Sequence, residues 1–282
     1  MEKRLLAVFA HPDDESFGIG GTLASYASNG TRVTLVCATR GEAGEISDPA
    51  LATPETLGAV REEELDCAAR KMGVDQLIFL GYRDSGMEGR SENADPRAFI
   101  NAPEREVVGK LVGIMRRVRP QVVVTFEPNG GYGHPDHKAI HRHTVAAFHA
   151  AADPEQFPGE GDAWQADRLF YSVIPRSLFR AMRDWLDAQG EDTSDWDQFE
   201  EAGRGWPDDE IDVVMDVSAN VDAKWAALNC HQTQFGADNL FRRAPQALVQ
   251  EAISHEHLSL AWPERRPGLE MDDLFSGLRE TT

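Results

Sequence analysis

The chain has 282 residues, and its 48 acidic side chains outnumber 28 Lys and Arg to give a formal net charge of −20. So few spare cations argue against a protein that draws its affinity from neutralising nucleic-acid phosphates. A chain this long can bury a full core without disulfides. Its three cysteines, Cys37, Cys67 and Cys230, are odd in number and too widely spaced for a local thiolate knuckle or a redox pair, which points to a reducing cytoplasm.

After charged Glu2, Lys3 and Arg4, the apolar run Leu5 to Ala10 is too short for a signal-peptide core or a membrane span and reads as a buried strand. Further strands are expected at Arg32 to Thr39, Gln76 to Tyr82 and Gln121 to Phe126. Helices are expected between them at Gly20 to Asn29, Gly58 to Gly73 and Pro103 to Val118, the last stopping before Pro120. This alternation is the trace of βαβ units and a mostly parallel, Rossmann-like α/β sheet with helices on both faces. A helix over Lys138 to Ala151, a strand around Leu169 to Ile174 and a helix over Arg176 to Ala188 continue the pattern.

The periodicity then breaks. From Glu191 to Asp216, eleven acidic residues face the single cation Arg204, an expected solvated excursion in which Trp196, Phe199 and Trp206 could tack the segment to the body. Ile211 to Val217 is expected as an edge strand, with helices at Asn220 to Gln234 and Asn239 to His255. The expected organisation is a catalytic domain over 1–175 and a smaller C-terminal region over 176–282 that completes the pocket.

Two motifs concentrate chemistry. The first strand runs into His11-Pro12-Asp13-Asp14-Glu15, and the fourth ends in a loop shaped by glycine and proline that carries Tyr132, His134, Asp136 and His137. Both follow strands of one sheet, so they can converge at the strand ends where α/β folds place ligands. Two imidazoles and one carboxylate make a catalytic zinc set with an open position, and iron(II) accepts the same donors. His11, Asp14 and His137 are the expected ligands. Asp13 is left as general base, and His134 to stabilise an oxyanion or protonate a leaving amine. Spacing alone does not decide between Asp13 and Asp14.

Together these motifs resemble the LmbE-like, or PIG-L, family of zinc-dependent N-acetylglucosamine deacetylases, and the resemblance spans most of the chain. It implies the same ligand set, Asp13 as base, and His134 polarising the carbonyl. It also implies that Asp136 holds His134 and that Tyr132 lies near the tetrahedral intermediate. Arg61 and Asp84 resemble sugar-binding residues, and His231 a pocket residue of the longer members. The glycine-containing run Arg40 to Glu45 is expected at the site's mouth. The length, Arg83 to Met87 and Met271 to Leu278 look nearer the mycothiol-pathway deacetylases and conjugate amidases.

The implied activity is hydrolysis of the N-acetyl amide of a small amino-sugar substrate of glucosaminyl-inositol or glucosaminyl-malate type, with no nucleic-acid or membrane partner. An amidase of a thiol S-conjugate and a noncatalytic sugar-binding protein are the alternatives. A nicotinamide dehydrogenase is disfavoured, because Gly18, Gly20 and Gly21 do not form its phosphate-binding fingerprint.

Overall fold

A computed structural model describes residues 2–194, 205–264 and 271–278 of the chain. Five parallel strands form first: β1 (Arg4–Phe9), β2 (Arg32–Cys37), β3 (Gln76–Phe79), β4 (Val122–Phe126) and β5 (Arg168–Val173). The helices that link them are α1 (Asp14–Ser28), α2 (Leu57–Met72), α3 (Glu104–Val118) and α4 (Pro135–Ala152). After α5 (Arg176–Ala188) come β6 (Val213–Asp216), α6 (Val221–Leu228), α7 (Leu240–Arg243), α8 (Gln246–Ser254) and β7 (His255–Trp262). The sheet order is β3-β2-β1-β4-β5-β7-β6, with β7 antiparallel to both neighbours.

Because side chains alternate along a strand, β1 feeds two cores at once. Leu5, Ala7 and Phe9 join α1 and α2 on one face, while Leu6 and Val8 join α3 and α4 on the other. The strand order reverses between β1 and β4, and the first and second motifs leave from the carboxyl ends of those two strands. A crevice at such a reversal is where open α/β sheets bind ligands.

Several expectations change. The helix expected from Gly20 begins at Asp14 and breaks at Ile19 (φ −134°, ψ 24°). Gly18, Gly20 and Gly21 make this stretch a poor helix, and Gly21 is required by packing, since a Cβ there would meet Val217 at 2.5 Å. The buried Glu256 carboxylate of β7 repairs the break by accepting from Gly21 N at 2.8 Å and Thr22 N at 2.7 Å, while Lys224 donates to it at 2.6 Å. The helix expected over Asn220 to Gln234 ends at Leu228, and the one over Asn239 to His255 divides into α7 and α8.

His255 opens β7, a strand the sequence reading did not anticipate, and β6 takes the edge position expected of it. Cys67 and Cys230 form a disulfide across 163 residues, with a Cα–Cα distance of 5.8 Å, which overturns the reading of the cysteines as unpaired. Cys37 is free and buried. Within the acidic excursion, residues 195–204, with Trp196, Phe199 and Arg204, lie outside the described residues, whereas Trp206 donates its indole N–H to Glu210 O.

Candidate active site

Asp13 sits at the N-cap of α1 and Asp14 is its first residue, so neighbouring carboxylates leave the turn in different directions. Asp14 Oδ2 turns back and accepts from the backbone of His11 at 2.7 Å and of Ala10 at 3.2 Å. Its Oδ1 lies 3.2 Å from His137 Nε2. His11 Nδ1 is 3.1 Å from His137 Nε2 and 3.6 Å from Asp14 Oδ2. Tetrahedral zinc with bonds of about 2.0–2.1 Å separates its ligand atoms by about 3.3 Å, close to the spacing of the two ring nitrogens and to that of His137 Nε2 from Asp14 Oδ1.

The far side of each ring supports the same reading. His137 Nδ1 faces the carbonyl of Gly130 at 3.1 Å, and His11 Nε2 faces Asp136 Oδ2 at 3.2 Å and Asp84 Oδ1 at 3.4 Å. With a cation between them both rings would be neutral, the acceptors in those places holding the ring protons outward so that the inner lone pairs face the cation. The donor set therefore fits a divalent metal. His134 brings a ring nitrogen close to those of His11 and His137, one metal-competent grouping, and His11, Asp84 and Asp136 form a second that shares His11.

The loop before α4 is built around these rings. Glu127 accepts from Asn129 N and Gly131 N at 2.6 Å each, and Phe126 stacks on His137 with ring centroids 4.0 Å apart. Gly130 has φ +67°, and a Cβ there would meet His137 Cβ at 2.5 Å, so glycine is what lets the loop pass.

Electrostatics divide the two aspartates. Burial raises the Asp14 carboxyl, but His137 and His11 outweigh it and hold the group well below the ordinary carboxylate range. Asp13 is pushed up to about 6 by burial, with Arg61 opposing and Asp14 adding to the rise, which suits a base working near neutral pH. Asp13 also holds φ 112°, a strained conformation for a residue with a Cβ. Burial, followed by the charges of His11 and His137, takes His134 down to about 3. Its Nδ1 accepts from Asp136 N at 3.1 Å, so the neutral ring carries its proton on Nε2.

The remaining residues singled out from the sequence fall in unlike places. Tyr132 is 40% exposed, its ring 5.0 Å from that of His137. Asp136 holds His11 through its carboxylate and meets His134 only through its backbone N–H, a correction to its expected partner that follows from its position inside the first turn of α4. Arg61 is buried between Asp13 Oδ2 at 3.2 Å, Pro12 O at 2.5 Å and Gly41 O at 3.0 Å. Gly41 and Gly44 lie so close to its guanidinium that a Cβ on either would collide with it. Asp84 accepts from Ala43 N and Gly86 N, while His231 is fully buried against Glu15.

A cavity of about 410 Å³ opens beside Asp13, Asp14, Tyr132 and His137 and runs past Phe17, Ile174, Leu178 and Phe241 to His257. Arg61, Asp84 and His231 do not line it. Glu15 is the supporting residue the sequence reading passed over; its only signal was its place as the last letter of the first motif.

A sheet reversed between β1 and β4, with an imidazole and carboxylate cluster over the reversal, defines a Rossmann-like α/β protein with a metal-type centre. The family described as PIG-L: GlcNAc-PI de-N-acetylase matches residues 6–148, and the chain belongs to that family. It is 41% identical to a protein of Geodermatophilus obscurus named 1D-myo-inositol 2-acetamido-2-deoxy-alpha-D-glucopyranoside deacetylase, over 98% of each chain. A protein of the same name from Streptomyces scabiei is 39% identical over 98% of this chain and 90% of its own. In fold the chain is similar to the N,N'-diacetylchitobiose deacetylase of Pyrococcus horikoshii, with a TM-score of 0.64 and 21% identity across 92% of this chain and 83% of that one.

Proposed function

We propose that the chain hydrolyses the N-acetyl amide of an N-acetylglucosamine linked to inositol, using a divalent metal, zinc in the first instance, held by His11, Asp14 and His137. The observation that carries this reading is that Asp13, Asp14 and His137 line one end of the cavity together. Its substrate side draws on near-full-length likeness to proteins named for that deacetylation. When bound, the metal supplies Lewis acidity and makes water a stronger acid, with a pKa near ~7.

Asp13 takes a proton from the attacking water as its oxygen bonds to the acetamide carbon. His134 donates from Nε2 to the carbonyl oxygen as negative charge develops there, a contribution that is larger in the transition state than in the ground state. As the C–N bond breaks, the amine nitrogen receives a proton. A neutral His134 is suited to donating a hydrogen bond, which leaves Asp13 to return the proton it took. Arg61 keeps Asp13 aimed, and Tyr132 closes the open side over the reacting carbon.

Residues 1–175 are proposed as the catalytic body and 176–282 as the part that completes the pocket; the cavity lining at Leu178, Phe241 and His257 supports this division. Among the described residues no helix is long and apolar enough to cross a membrane. The cytoplasm is our proposed compartment on the small-molecule chemistry alone, since the cysteines no longer argue for it. A second reading, hydrolysis of a bulkier acyl amide such as a thiol conjugate, is favoured by the apolar arm of Phe17, Ile174, Leu178 and Phe241.

The test is a panel of N-acetylglucosamine linked to inositol, to malate and to an aromatic aglycone, beside a cysteinyl amide, given to protein of measured metal content with free amine detected as product. Fastest turnover of the inositol compound is expected. No product from any acetyl substrate at full metal loading would overturn the reading.

A further inference from the structure

Behind Asp13 lies a buried relay of polar groups that the reaction itself does not use. Asp13 holds its strained φ while its backbone N–H donates to Glu15 Oε2 at 3.1 Å. The other oxygen of that carboxylate, Oε1, faces His231 Nε2 at 2.9 Å and accepts from Ser16 Oγ. Glu15 is 1% exposed and His231 is 0% exposed, so neither reaches solvent or substrate. No hydrogen-bond partner is present at His231 Nδ1, so the ring's polar contacts are concentrated at Nε2.

His231 is held in place from outside the site. It follows Cys230, which is bonded to Cys67 of α2, and it precedes Thr233, whose N and Oγ1 both donate to Glu64 of α2, at 2.8 and 2.7 Å. Two ties to one helix, one residue before the imidazole and two after it, leave its backbone little freedom. Arg61, from the same helix, grips the Asp13 carboxylate. Helix α2 thus fixes Asp13 twice, at its carboxylate through Arg61 and at its amide through His231 and Glu15.

The geometry points to His231 as a positioning residue: acting through Glu15, it sets the backbone of Asp13 and therefore the aim of the base. This inference rests on the reading of Asp13 as base. Preorganisation of this kind acts on the chemical step, because a reacting group misplaced by about 1 Å can cost on the order of 10²-fold in rate. Substrate binding is made by other groups and is left nearly unchanged.

The test compares wild type, His231→Leu and His231→Gln by kcat and KM on the inositol-linked substrate, by zinc content, and by hydrogen exchange of the Asp13 amide. His231→Leu is expected to lower kcat about 30-fold with KM within about twofold, to keep its zinc, and to lose protection at the Asp13 amide. His231→Gln, which retains an N–H donor near the position of Nε2, is expected to recover most of both. Wild-type kcat and wild-type Asp13 protection in His231→Leu would overturn the assignment. So would equal impairment of both variants with loss of zinc, which would mark a plain packing role. If wild type itself releases no amine, the proposed reaction fails, and the exchange comparison still decides whether His231 positions Asp13.

Discussion

Asp136 Oδ2 lies 3.2 Å from His11 Nε2, so the acid of the second motif grips the histidine of the first. The same oxygen accepts from Ser85 N at 2.9 Å, which fixes the carboxylate independently of the ring. Outer partners of this kind orient a ligating imidazole and raise its basicity, and their loss costs about 10–100-fold in metal affinity. Asp136→Ala is expected to weaken zinc binding by that range in a chelator competition titration while the protein stays folded. Unchanged affinity would show that Asp84, 3.4 Å away, orients His11 without help.

The adjacent aspartates are separable by experiment. Asp13→Asn is expected to keep most of its zinc and lose roughly 10² or more in turnover, because the proton acceptor is gone and the donor set is intact. Asp14→Asn is expected to lose zinc. Metal content measured beside the rate checks both, and the reverse pattern would exchange the two roles.

At Gly130 the backbone has φ +67° and no room for a side chain against His137. Gly130→Ala adds a conformational cost of about 1–2 kcal/mol and drives a methyl into the ligand-bearing helix turn. Reduced zinc occupancy is expected, together with a lower melting temperature. Normal occupancy by atomic absorption would mean that the loop can move without carrying His137 along.

Two histidines of α4 make stability pH-dependent. Burial lowers His141, against a hydrogen bond to Phe126 O, and burial followed by Arg142 lowers His143. The unfolded chain protonates both near pH ~6.5 while the folded chain resists, so the unfolded state binds more protons and stability falls as pH drops below that value. Between pH 7 and pH 5 acid is expected to lower the urea midpoint of wild type relative to that of His143→Asn. Imidazole resonances followed by NMR check the cause directly, with both midpoints expected below 6.5.

The parallel half of the sheet and its motifs were legible because each depends on local signals. Continuous apolar runs mark strands buried on both faces; HPDDE begins one residue after β1, and GHPDH follows β4 across a six-residue loop. What failed depended on distant partners. Within His255 to Trp262 only His257 to Leu260 alternates polar and apolar residues, and pairing with β5 and β6 makes it a strand and not the tail of α8. The Cys67–Cys230 bond joins residues whose spacing carries no signal. Arg61 and Asp84 have the composition of ligand-binding residues, yet burial turns their polar atoms onto Asp13, Gly41, Ala43 and His11.

The carboxylate that repairs α1 at Gly21 and Thr22 comes from residue 256, and this bears on how the protein matures during synthesis. A ribosome working at about 5–20 residues per second makes the first motif on the order of ten seconds or more before Glu256 leaves the exit tunnel. During that interval the two open amides of α1 are left to water, and the turn bearing Asp13 and Asp14 lacks its rear support. The nascent chain therefore displays its chemistry-bearing residues early and braces them only after Glu256 has been made.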